Sequence, residues 1–183
     1  MDFERVLKAL LVEFGRHQIR YAMVGGFAMG VLGFKRFTMD VDFLVHRDDL
    51  ERLHRAMTTL GYRRFATTEN VSHYVHPDAA WGGVDFLHAF RAPALAMLER
   101  AKGYAIFEGT QHVRVVAPED AIAFKVQAMA NNPKRRTREL ADIEALMELY
   151  GSQLDWGRIQ EYFDLFELGE EGRRLRERFG HAE

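Results

Sequence analysis

The sequence predicts an α/β fold through residue 116, followed by a helical part over residues 117–183 packed on it. Three observations predict this. Tyr21-Ala22-Met23-Val24 is a short apolar run that ends in Gly25-Gly26 and a helix-sized interval. Asp40 to Val45 alternates with period two, which is the pattern of a strand with one buried face. From Ala117 onward the apolar residues recur only at helical spacing.

The elements follow in order. Phe3, Val6, Leu7, Leu10, Leu11 and Phe14 make one side of a first helix, with Gly15 placed to end it. Tyr21–Val24 reads as a buried strand, and Phe27 to Phe34 as a helix on which Gly26, Gly30 and Gly33 share one side. Each such glycine costs about 1 kcal/mol of helix stability relative to alanine, so close approach of a sheet or ligand must offset it. Asp48 or Asp49 can cap a helix carrying Leu50, Leu53, Met57 and Leu60, which Gly61 closes. Tyr62 to Phe65, Val71 to His76 and Val84 to Leu87 read as strands, with a turn at residues 77–83. Pro93 begins a helix through Ala101, and Tyr104 to Phe107 forms a hairpin with His112 to Val116. Pro118-Glu119-Asp120 starts a helix that Asn131-Asn132-Pro133 ends. Two more helices follow, one from Leu140 to Tyr150 closed by Gly151 and one capped by Asp155, before a charged helical tail from Gly169.

Composition bounds what such a chain can do. At 183 residues, with 48% apolar and 28% charged side chains, it can bury one good core and is not a disordered chain. No apolar run approaches the roughly 18 residues needed to span a bilayer, and Met1-Asp2-Phe3-Glu4 lacks a secretory pattern. A cytoplasmic protein is therefore expected. The absence of cysteine excludes disulfides and thiolate metal sites. A net charge of −2 gives no global attraction to nucleic acid, so such binding would need a local patch.

The chemistry concentrates between Gly25 and Asp85. Asp40 and Asp42 lie two apart on one strand face, roughly 7 Å between α-carbons, so their oxygens can converge on a divalent ion or a close pair of ions. Asp85 repeats the acid-within-apolar-strand pattern, and a carboxylate there needs a partner because burying it alone is expensive. It is the third candidate ligand. The spacing from Gly25-Gly26 to Gly30 fails the dinucleotide fingerprint, which argues against a Rossmann enzyme. Lys125 sits in an apolar helical run, where its stem can follow the core and present the amine in a cleft. His73 and His76 would face opposite sides of a strand, so with His88 they read as structural or surface residues. Lys134, Arg135, Arg136 and Arg138 read as a solvated basic loop, and Asp142 as a surface or helix-pairing residue.

Gly25-Gly26, Asp40-Val41-Asp42 and Asp85 together resemble the signature of the nucleotidyltransferase superfamily that includes DNA polymerase beta. More narrowly, Arg36-Phe37-Thr38-Met39-Asp40-Val41-Asp42 with Pro118-Glu119-Asp120, Lys125 and Asp142 resembles the AbiEii-like nucleotidyltransferases of type IV toxin-antitoxin systems. The resemblance covers Tyr21 to Tyr150. It implies a mixed β-sheet flanked by helices, and transfer of a nucleoside monophosphate from a nucleoside triphosphate to an acceptor hydroxyl with release of pyrophosphate. By position it implies that Asp40, Asp42 and Asp85 hold Mg²⁺, or Mn²⁺ in its place, as a two-metal site. Gly25, Gly26, Arg36, Thr38 and Lys125 would bind the nucleotide. The acceptor could be RNA, a protein or a small molecule, and the toxin relatives imply an antitoxin partner. The competing reading is a catalytically silent nucleotide-binding module acting with a protein partner. A Mg²⁺-dependent nuclease or phosphatase could use the same acids but leaves Gly25-Gly26 without a role.

Overall fold

The computed structural model describes residues 1–34 and 40–180. Arg36 and Thr38, expected as nucleotide contacts, lie outside the described residues. These fall into two compact units, one made of Met1–Val31 and the chain up to Val116, the other of Leu32–Phe34 and the chain from Ala117.

The first unit is built on a seven-stranded mixed sheet. Its strands are β1 (Tyr21–Val24), β2 (Val41–His46), β3 (Arg63–Thr67), β4 (Val71–Val75), β5 (Gly83–Ala89), β6 (Lys102–Ile106) and β7 (Gln111–Val115). They lie in the order β3-β4-β5-β2-β1-β7-β6. β2 runs parallel to β5 and antiparallel to β1, while β1 runs parallel to β7. The helices of this unit are α1 (Phe3–Arg16), α2 (Gly25–Val31), α3 (Leu50–Thr59) and α4 (Ala92–Arg100). The expected mixed sheet flanked by helices is the observed fold.

Alternation decides which face is the core. Val41, Phe43 and Val45 of β2 and Val84 and Phe86 of β5 are fully buried. Phe14 of α1 packs edge-on against Phe43 at 5.2 Å between ring centroids, and Phe43 stacks on Phe86 at 5.7 Å. Burying each such ring contributes about 1.5–3 kcal/mol. This aromatic cluster fixes the register of β2 against β5, because a slip by one residue would send the aspartates into the core.

Local differences from the sequence reading have physical causes. Gly15 does not end α1; the helix runs to Arg16 and stops where Gln18 turns left-handed at φ 52°. α2 ends at Val31, three residues before Phe34, so Gly33 lies beyond it at φ 98°. Asp49 does not cap α3. Its carboxylate is buried and accepts from the Arg20 backbone N–H at 2.8 Å, from Arg20 Nε at 3.0 Å, and from Arg52. A buried carboxylate is drawn to two guanidinium groups more strongly than to a helix N–H.

The second unit holds α5 (Pro118–Asn131), α6 (Arg136–Tyr150), α7 (Trp156–Leu165) and α8 (Gly169–Phe179). The acids in the first turn of α5 are buried and bond to the neighbourhood of α7: Glu119 accepts from the Asp155 N–H at 2.9 Å, and Tyr162 donates to Asp120 at 2.7 Å. Asp155 caps α7 as expected. Lys134 to Arg138 is only partly a free basic loop, since Arg135 pairs with Glu139 and Arg136 with Glu171.

Candidate active site

Two strands bring the acids together. Asp42 of β2 and Asp85 of β5 are register partners on adjacent parallel strands. Strands so paired lie about 4.8 Å apart and project partnered side chains to the same face. Phe43 and Phe86, the next residues, point the other way into the aromatic core. The core therefore presents both carboxylates on the opposite face, and each residue is partly exposed there. Asp40 is exposed just before β2 and approaches the start of β5: a Cβ built on Gly83 would lie 4.0 Å from its Oδ1.

Gly25 closes one side of this face. Val24, at the end of β1, is the register partner of Asp42, and the chain turns at once with Gly25 at φ 70°. A Cβ on Gly25 would fall 2.0 Å from Asp42 Oδ2. No other residue fits, because both the left-handed backbone and the contact require glycine. Gly26 begins the wall of a cavity of about 400 Å³, lined by Gly26, Phe27, Gly30 and Val31 of α2 and by residues 105–107. Gly26 and Gly30 open this space by lacking side chains, while Gly33 does not reach it.

Lys125 belongs to the second unit. Its amine lies 2.9 Å from Glu139 Oε2 and 2.8 Å from Asp142 Oδ2, and all three side chains are nearly or fully buried. Burial pushes the Glu139 carboxyl up, but the Lys125 and Arg135 bonds outweigh it and hold the group below its ordinary range. Asp142 is thus a helix-pairing residue, one of the two roles its pattern suggests.

His73, expected as a structural or surface residue, instead meets an acid of the candidate site. It is the register partner of Asp85 on β4, and its Nδ1 lies 2.8 Å from Asp85 Oδ1. The turn between β4 and β5 centres on Ala79, one residue before the centre of the expected turn at residues 77–83, and that shift pairs residue 73 with residue 85. His88 is a buried structural residue, bonded to Ser72 Oγ and the Glu69 carbonyl, and burial holds its imidazole below the usual value. His76 stacks on Trp81 at 4.9 Å.

Carboxylate oxygens are hard donors, and a set of aspartates suits a hard divalent cation such as Mg²⁺. Asp42 and Asp85 fit that requirement by standing side by side on one face. Among the described residues no group of three or more histidine or acidic side chains is gathered tightly enough to hold a metal. The fit rests on the pair, with Asp40 at the mouth of the strands.

Comparison with known proteins bears on the family and the fold. A family model described as uncharacterised nucleotidyltransferase matches residues 3–170. The chain is similar in fold to the antibiotic-resistance factor ANT(2'')-Ia, with a TM-score of 0.68 at 16% identity over 100% of both chains. It is also similar to the lincosamide antibiotic adenylyltransferase LnuA, with a TM-score of 0.58 at 15% identity, covering 80% of this chain and 97% of that one. A putative nucleotidyltransferase from Thermotoga maritima gives a TM-score of 0.57 at 10% identity, covering 76% and 92%. No curated protein matches the chain. No helix among the described residues is long and apolar enough to cross a membrane. With its acid-bearing parallel strands, its glycine turn and a family match over residues 3–170, the chain belongs to the uncharacterised nucleotidyltransferase family.

Proposed function

We propose that the acid face of β2 and β5 transfers a nucleoside monophosphate from a nucleoside triphosphate, ATP first among them, to a hydroxyl of a small-molecule acceptor. The observation that carries this reading is the register pairing of Asp42 with Asp85, with Gly25 pressed against Asp42. In the step, the acceptor oxygen forms a bond to the α-phosphorus while the bond from that phosphorus to the bridging oxygen breaks. Pyrophosphate leaves with the electron pair, and Asp85 takes the hydroxyl proton. Gly25 and Gly26 keep the approach to the triphosphate clear of side chains, and Arg36 and Thr38 contact its oxygens. Mg²⁺ or Mn²⁺ held by Asp40, Asp42 and Asp85 would neutralise charge building on the phosphates. Lys125 would reach a phosphate only by giving up Glu139 or Asp142, and this reading keeps it as the tie between α5 and α6.

The choice of acceptor draws on three considerations. The net charge of −2 gives no global attraction to RNA, and two of the four cations of the basic cluster, Arg135 and Arg136, are paired with Glu139 and Glu171. One structure similar in fold is ANT(2'')-Ia in complex with adenylyl-2''-tobramycin, and another is LnuA with lincomycin bound. Both hold a bound small molecule.

The test is a pyrophosphate-release assay with each of the four triphosphates and Mg²⁺, run against polyhydroxylated small molecules, RNA and protein, with mass analysis of the acceptor. The expected result is a nucleoside monophosphate increment on a small molecule. An increment on RNA or protein would instead place the chain with the AbiEii-like toxins and their antitoxin partners. Tight nucleotide binding with no pyrophosphate from any pairing would leave a silent binding module.

A further inference from the structure

His73 bonds to an acid of the candidate site, Asp85. His88 is spent on Ser72 and a backbone carbonyl, while His46 and His76 accept backbone N–H groups of their own turns. His73 and Asp85 face the same side of the sheet as register partners, and both are about a third to two-fifths exposed. A pair that open to solvent contributes almost nothing to stability, so folding does not explain the contact. Its geometry does something else. With Nδ1–H donating to Oδ1, the imidazole pins one oxygen of Asp85 and so sets the orientation of the carboxylate, leaving Oδ2 as the oxygen that takes a proton.

We propose that His73 is a positioning residue that holds Asp85 in the one orientation from which it can deprotonate the acceptor hydroxyl. The proposal rests on the transfer reading above and adds a residue to it. The bond made and the bond broken are those already given; His73 gains and loses no proton in the step and acts only through Asp85. His73→Ala would free the carboxylate to rotate. His73 acts through Asp85, so turnover is expected to fall while the nucleotide still binds.

Two measurements test this. The first is independent of turnover: two-dimensional ¹⁵N NMR of the His73 imidazole in the full chain. The expected result is a ring that carries its proton on Nδ1, changing to the Nε2–H form favoured in water when Asp85→Ala removes the acceptor. A wild-type ring protonated only on Nε2 would overturn the proposal. The second is steady-state kinetics of His73→Ala and His73→Asn. We expect kcat for His73→Ala to fall about 10–100-fold, with KM for the triphosphate and the thermal midpoint unchanged. His73→Asn, whose amide places a donor close to the position of Nδ1, should recover most of the loss. Unchanged kcat in His73→Ala, or no recovery in His73→Asn, would overturn the positioning role. A wild-type chain that transfers nothing while showing the Nδ1–H ring would sink the transfer reading, and with it any catalytic purpose for His73, while leaving the contact itself established.

Discussion

Gly25 and Asp42 share a contact that no side chain can enter. At φ 70° a residue with a Cβ costs about 1–2 kcal/mol, and the added atom would lie 2.0 Å from Asp42 Oδ2. Gly25→Ala therefore displaces the carboxylate. The expected outcome is a loss of about 100-fold in kcat/KM, the scale of an ångström-sized misplacement, together with a modest fall in melting temperature. Steady-state kinetics beside a thermal melt would show it, and an alanine variant of full activity would mean that the orientation of Asp42 is immaterial. Asp49 makes a second prediction at this scale. Burial pushes its carboxyl up, but bonds from the Arg20 side chain and backbone and from Arg52 outweigh that and hold it at about 2, below the ordinary 3.8. The folded chain thus favours the charged form. Its contribution is complete above about pH 4 and disappears as pH falls towards 2. Asp49→Asn should cost about 3 kcal/mol at neutral pH, at the low end for a broken buried pair because Arg20 is half exposed. It should also flatten the stability profile between pH 4 and 2, and a profile unchanged by the substitution would refute the assignment. The acids of the site were legible because an aspartate inside an apolar alternation is conspicuous. Asp49 was read as a cap because sequence shows its place before a helix and hides the distant Arg20.

Elements were legible where periodicity is strong and blurred where a glycine could serve two ends. β2, β5 and α5 follow from their patterns, whereas α2 stops three residues early because Gly33 takes a left-handed turn. The hairpin of β4 and β5 was recognised as two strands and a turn, yet its register was not worked out, and with it went the pairing of His73 to Asp85. Lys125 shows the same limit in α5. Its position beside the apolar stripe suggests an amine presented in a cleft, and the family resemblance a phosphate contact, but the partners that engage its amine come from α6, 14 and 17 residues on. Lys125→Met would remove the buried amine that Asp142 and Glu139 share. Urea unfolding should show a loss of about 3–5 kcal/mol. A variant of unchanged stability but raised KM for the triphosphate would instead return Lys125 to the phosphates.

At the scale of the whole molecule, the fold survives in ANT(2'')-Ia with 16% of residues identical. What such distant chains can share is a pattern: alternation that buries one face of a sheet and turns that bring chosen side chains to the other. That pattern made the mixed sheet and the helical C-terminal part legible here. Leu32–Phe34, which group with the helices, were not, since three residues carry no period. The acceptor is equally hidden, because sequence places acids on strands and does not shape what they face. The account as a whole stands on the paired carboxylates as the agents of transfer. The most direct test is incorporation of label from α-phosphate-labelled ATP by the wild-type chain, Asp42→Asn and Asp85→Asn, each checked for an unchanged thermal melt. Labelled acceptor is expected from the wild type, with at least a 100-fold loss in both variants. Undiminished transfer by either folded variant would contradict that expectation.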